Sequence, residues 1–136
     1  MGHLSAGLLA TLLTLLTPTI DGIGRTCLAN DAAGLSAYFS GAALNISLPD
    51  PIAFSDELSP EQAYFLFDRV FSKFKTFEFD PDGRLSTLAG RPGCILKARW
   101  SFRNIKDDSP SLFLVMIYLT PEEAGWKIVE IKAERQ

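Results

Sequence analysis

Three groups of residues in this 136-residue chain could do chemistry, and each asks for something different. Asp80-Pro81-Asp82-Gly83 spaces two carboxylates ahead of a glycine, as a calcium loop does. The Glu that would close such a loop is missing, so the segment reads as a turn. Cys27 and Cys94 are too few and too far apart for a zinc site. Both fall on apolar faces and read as buried thiols, with a single disulfide as the alternative. Glu78 and Glu130 could serve as bases for proton abstraction, but alternation turns them toward the wet face of their strands, and only a one-residue slip would bring them inward. The single histidine is His3, inside an apolar leader. No catalytic residue, metal or cofactor is assigned.

What remains are aromatic and apolar side chains able to line a pocket: Phe67, Phe71, Trp100, Met116 and Tyr118. They are the candidate ligand-binding set for an apolar small molecule, with simple filling of the core as the competing reading. Tyr118 needs a hydrogen-bond partner if buried.

Those residues must be positioned by a long helix and a meander. Ser59-Pro60-Glu61-Gln62 opens the helix: Ser59 as N-cap, Pro60 at the first helical position, Gln62 completing a capping box. At about 100° per residue, Ala63, Leu66, Phe67, Val70, Phe71 and Phe74 share one face, with Glu61, Asp68, Arg69 and Lys73 turned away. Phe65 lies off that face, toward a neighbouring element or subunit. Residues 76–80 alternate, with Phe77 and Phe79 on one side. After the turn, residues 84–89 run as a further strand. Cys94, Leu96, Ala98, Trp100 and Phe102 alternate with Lys97, Arg99, Ser101 and Arg103, the pattern of a strand with one wet face. Residues 112–119 are apolar on both faces, and residues 126–133 close the meander. Upstream, residues 20–29 and 32–39 read as helices, and residues 44–48 as a short strand stopped by Pro49-Asp50-Pro51. Asn45-Ile46-Ser47 has the form of a glycosylation sequon.

Residues 4–16 are apolar and uncharged. They are short for a membrane span, which needs about 20 residues, and match the apolar core of a secretory leader. Residues 1–19 are therefore expected to be a signal peptide, with a native N-terminal helix as the rival. The chain would then be exported, periplasmic or extracellular, with no membrane span left after cleavage. Residues 20–136 form one domain. Lys and Arg number 13 against 16 Asp and Glu, net −3, and no basic run exists, which argues against nucleic-acid binding.

The order helix, capped break, short helix, strand, long helix and antiparallel meander resembles the nuclear transport factor 2-like superfamily, the cystatin-like cone fold. Residues 28–39 look like its opening helices, and Gly125-Trp126-Lys127-Ile128-Val129-Glu130-Ile131 looks like its closing strand. Phe54-Ser55 leading into Glu61-Gln62-Ala63, with Phe71 and Phe77, is similar to the small exported family of unknown function numbered 4783. The resemblance implies an α+β fold with helices packed on a strongly bent antiparallel sheet. Enzymes of the superfamily place an Asp with His or Tyr inside the cone, and the chain lacks that histidine. The expected function is a non-catalytic ligand- or protein-binding domain, and the two-sided apolarity of residues 112–119 points to a homodimer through the outer sheet face. The alternative is a small lyase or isomerase using a carboxylate base.

Overall fold

The structure, a computed structural model, describes residues 6–87, 90 and 92–136, with side chains from residue 15 onward. His3 and the far end of the expected 84–89 strand lie outside the described residues. Three helices, α1 (Ala6–Leu28), α2 (Ala32–Ser36) and α3 (Pro60–Lys73), accompany six strands. These are β1 (Leu44–Leu48), β2 (Phe54–Leu58), β3 (Phe74–Thr87), β4 (Cys94–Asn104), β5 (Pro110–Glu122) and β6 (Gly125–Arg135). The class is α+β, as expected.

Local chemistry explains the helix boundaries. Past the end of α1, Asn30 takes a left-handed φ of 52°, which Asn tolerates better than most residues. The Asn30 N–H then reaches the Cys27 carbonyl at 3.1 Å and the Asp31 N–H reaches that of Thr26 at 2.9 Å, a Schellman closure. Asp31 immediately caps α2 by accepting from the Gly34 N–H at 2.9 Å. At Ser59 the capping box is reciprocal: the hydroxyl accepts from the Gln62 N–H at 3.1 Å, and the Gln62 amide oxygen accepts from the Ser59 N–H at 2.9 Å. The buried face of α3 is the expected one, Ala63, Leu66, Phe67, Val70 and Phe71.

The sheet order is β2-β1-β6-β5-β4-β3, antiparallel except where β1 lies parallel to β6. β2 escapes sequence reading because its Ser55-Asp56-Glu57 centre is polar and exposed, as an edge strand can be. Register shifts interrupt the ladders between Thr76 and Glu78, between Pro81 and Leu85, and between Tyr118 and Leu119. Such bulges bend a strand and increase its twist, which lets long strands curl round the helices.

Two expectations change at these bulges. Phe77 is the inserted residue at the first, so it turns outward and is 51% exposed, while Thr76 and Phe79 stay inside. The Asp80–Gly83 turn is real but does not separate two strands. Pro81 pairs Ala98 and Leu85 pairs Leu96, so the extra residues loop out of one continuous β3.

The expected boundary at residue 20 falls inside α1, which runs unbroken through Pro18 and buries Leu16 in the core. The helix expected over residues 32–39 stops at Ser36, and Phe39 instead bridges to Ile128. Among the described residues no helix is long and apolar enough to cross a membrane.

Candidate functional site

The concave side of the sheet is where helices α1–α3 meet the strands, and its centre is aromatic. Phe67 and Phe71 descend from α3 with ring centroids 5.7 Å apart, and Phe71 meets Trp100 of β4 edge-on at 6.5 Å. Trp100 contacts Phe102 at 4.7 Å and Phe113 of β5 at 5.7 Å; Phe102 and Phe113 stand perpendicular at 5.0 Å. The tilted and edge-to-face geometries are those that aromatic quadrupoles favour.

Little space is left. A void of about 20 Å³ lies among Cys27, Leu35, Phe67, Phe71, Phe79, Trp100, Val115, Ile117 and Ile131. That is about room for one water, which would need polar partners that this lining lacks. An apolar ligand could enter only if Phe67, Phe71 and Trp100 moved apart.

A short, satisfied polar thread runs through this core. The Trp100 indole N–H donates to the Thr76 hydroxyl at 2.9 Å, and the Thr76 backbone N–H donates to the Asn30 side-chain oxygen at 3.1 Å. The α1–α2 corner is thereby fastened to the bulge of β3. Cys27 and Cys94 are both free and buried. Burial pushes the Cys27 thiol up to about 12, against a small opposing hydrogen bond with Thr26, and raises Cys94 as well. Neither is a reactive thiolate.

Of the five expected ligand-binding residues, the structure brings together Phe67, Phe71 and Trp100 but not Met116 or Tyr118. Phe113, Val115, Ile117 and Leu119 are the β5 residues that point inward; Leu112, Leu114, Met116 and Tyr118 share the opposite, convex face. A strand that is apolar on both sides carries no alternation to set its facing, so only the pairing decides it. Phe113 opposite Trp100 and Val115 opposite Ala98 fix the inward set.

The carboxylates considered as bases also lie on the convex side. Glu78 accepts a 2.7 Å hydrogen bond from the Ser101 hydroxyl, and Glu130 sits opposite Tyr118. No acid lines the interior void. Asp82 accepts from the Arg84 N–H at 3.1 Å, a turn role, and among the described residues no cluster of potential metal ligands occurs.

The convex face therefore carries the distinctive surface. Leu112, Leu114, Met116 and Tyr118 form a half-buried apolar stripe down β5. Ile95, Lys97 and Arg99 of β4 stand opposite Tyr118, Met116 and Leu114 on one side. Glu130, Lys132 and Glu134 of β6 stand opposite the same three on the other. Beside the stripe, the looped-out residues of β3 frame a depression of about 550 Å³ with Lys97, Arg99 and Leu114. The two-sided apolarity of β5 is as expected, but Met116 and Tyr118 lie on the face opposite the interior.

No family model and no curated protein matches the chain. Solved structures do. A DUF4783 family protein from Bacteroides ovatus superposes with a TM-score of 0.66 at 14% identity, covering 85% of this chain and 93% of its own. A putative dehydratase from the NTF2-like family of Streptomyces avermitilis gives 0.67 at 10% identity, covering 93% and 97%. The CaMKII hub of S. rosetta gives 0.64 at 16% identity, covering 89% and 94%. The fold is thus the NTF2-like cone, shared with proteins of family 4783. At these identities the likeness extends to fold alone.

Proposed function

We propose that this chain is a non-catalytic interaction domain that pairs with a second copy of itself across the convex face of its sheet. The observation that carries this is the β5 stripe: Leu112, Leu114, Met116 and Tyr118 are aligned on one face, opposite the buried Phe113, Val115, Ile117 and Leu119. Aligned apolar side chains rimmed by polar ones are the anatomy of an interface.

Charge supports a second copy as the occupant. The stripe has Lys97 and Arg99 on one flank and Glu130, Lys132 and Glu134, net acidic, on the other. A two-fold axis lying in the interface along β5 places the β4 flank of one copy over the β6 flank of the other. Arg99 then falls opposite Glu134 of the second copy, while Lys97 falls opposite Lys132, with Glu130 and Glu134 to either side of it. Such isologous pairing is the commonest form of oligomer. That a structure of the same fold is described as a hub is in keeping with a role in assembly.

The filled interior supports a binding role over a catalytic one, because the void holds neither a substrate-sized space nor an acid or base. Export completes the reading, with residues 1–19 as the leader. Cleavage there would leave Ile23 and Cys27 seated in the core while removing Leu16 from it. An intact mass of the protein recovered from a secreting host supports export if residues 1–19 are absent, and contradicts it if they remain.

The pairing is tested by light scattering on size-exclusion fractions of the wild type and of a Leu114→Glu/Met116→Glu variant. The reading expects the mass of two chains for the former and of one chain for the latter, with unchanged far-ultraviolet dichroism. A wild-type mass of one chain contradicts it.

A further inference from the structure

On the helical side of the molecule, away from the β5 stripe, the last turns of α3 and the turn before β2 stand apart. The gap follows from the connection. β2 runs straight into the Ser59 cap and α3 returns beside it, so the two are tied at one end and free at the other. At the free end the backbone folds tightly: the Ile52 and Ala53 N–H groups both donate to the Pro49 carbonyl at 3.0 Å, and Ala53 takes a left-handed φ of 56°. Ile52 and Phe54 are thereby held toward the helix.

The result is a groove of about 230 Å³ lined by Pro51, Ile52, Phe54, Leu66, Arg69, Val70, Lys73 and Phe74. Its floor and far wall are apolar, and its rim carries two cations and no carboxylate, in a chain whose net charge is −3. Arg69 and Lys73 are one helical turn apart, so their side chains rise from the same edge of α3. Both are exposed, and among the described residues neither side-chain cation has a hydrogen-bond or ion-pair partner.

We propose that this groove binds a small single-chain carboxylate, a medium-length fatty acid, with its head held by Arg69 and Lys73 and its tail laid over Ile52, Phe54, Leu66 and Val70. The guanidinium fork of Arg69 matches a carboxylate in the bidentate geometry, and Lys73 supplies a second, movable donor. The volume is below the roughly 300–1,000 Å³ of pockets for drug-sized ligands, which favours a short tail over a sterol or a two-chain lipid. The apolar floor distinguishes the site from one for inorganic anions.

The probe is sodium octanoate below its micellar concentration, titrated into the full chain labelled with ¹⁵N. Saturable shifts are expected at the amides of residues 52–54 and 69–74. Acetate, a head without the tail, and octan-1-ol, a tail without the head, are each expected to bind about tenfold more weakly or worse, since each loses half of the recognition. An Arg69→Gln/Lys73→Gln variant is expected to keep the wild-type spectrum elsewhere and lose at least about tenfold in octanoate affinity. Absence of saturable shifts overturns the proposal. So does equal binding of octan-1-ol, unchanged affinity in the double variant, or shifts confined to the β5 stripe.

Discussion

Truncating Phe71 to alanine separates a packed core from a ligand pocket. Its ring is 6% exposed and wedged between Phe67, at 5.7 Å, and Trp100, at 6.5 Å, against a void of only about 20 Å³. In such a site Phe→Ala removes transfer free energy and leaves a cavity, together costing about 3–5 kcal/mol. Against the roughly 5–15 kcal/mol by which domains are stable, that is a large share. With a urea m-value of about 1–3 kcal/mol/M, the midpoint should fall by more than about 1 M. The enlarged void should also become a dry apolar cavity, of the order of the 150 Å³ that takes up benzene in an engineered protein, and benzene should then recover part of the lost stability by linkage. The assay is urea unfolding of wild type and Phe71→Ala, with and without benzene. A loss below about 1 kcal/mol would refute the reasoning, because a side chain lining open space leaves no cavity when shortened.

Other outcomes follow from the same packing. Thr76→Val removes the acceptor of the buried Trp100 N–H and should cost about 1–3 kcal/mol by urea unfolding, with the cost shrinking in a Trp100→Phe background. Gly22→Ala, which in an open helix would gain about 1 kcal/mol, should instead destabilise, because the new Cβ would run into the Tyr38 ring and hydroxyl; Tyr38→Ala should turn that loss into a gain in a double-mutant cycle. Cys27 and Cys94 should resist thiol reagents in the native protein and react on unfolding. Because the folded Cys27 thiol is raised from 9.0 to about 12, its contribution to stability is present below pH 9 and is lost as pH rises from 9 toward 12, which urea midpoints across that range will read.

Much of this architecture is legible in the sequence because local chemistry and periodicity agree. Ser59, Pro60 and Gln62 specify where α3 begins, and the 3.6-residue spacing of Leu66, Phe67, Val70 and Phe71 specifies its buried face. The alternation of β4 likewise fixes the inward set from Cys94 to Phe102. The failures fall where pattern carries no information. Phe77 turns outward at a bulge, where one extra residue shifts the alternation, so that Thr76 takes the inward place while Phe79 keeps the one expected. β5 is apolar on both faces, so Met116 and Tyr118 could be assigned to a face only by pairing with β4. β2 lacks the hydrophobic run that marks a strand and is held by its backbone ladder to β1. The groove rimmed by Arg69 and Lys73 depends on how far α3 and β2 diverge, although the i, i+4 placement of two cations flanking Val70 was readable.

The central claim is that the convex face is covered by a second copy, and Met116 offers a direct reporter. The chain has two methionines, Met1 and Met116, so ¹³C-methyl labelling of methionine places one probe in the middle of the β5 stripe. In a mixture of methyl-labelled and unlabelled protein, isotope-filtered experiments should show intermolecular contacts from the Met116 methyl, and its resonance should shift on dilution as dimer gives way to monomer. A Met116 methyl without intermolecular contacts, unmoved by dilution and open to a soluble paramagnetic probe, would contradict the account.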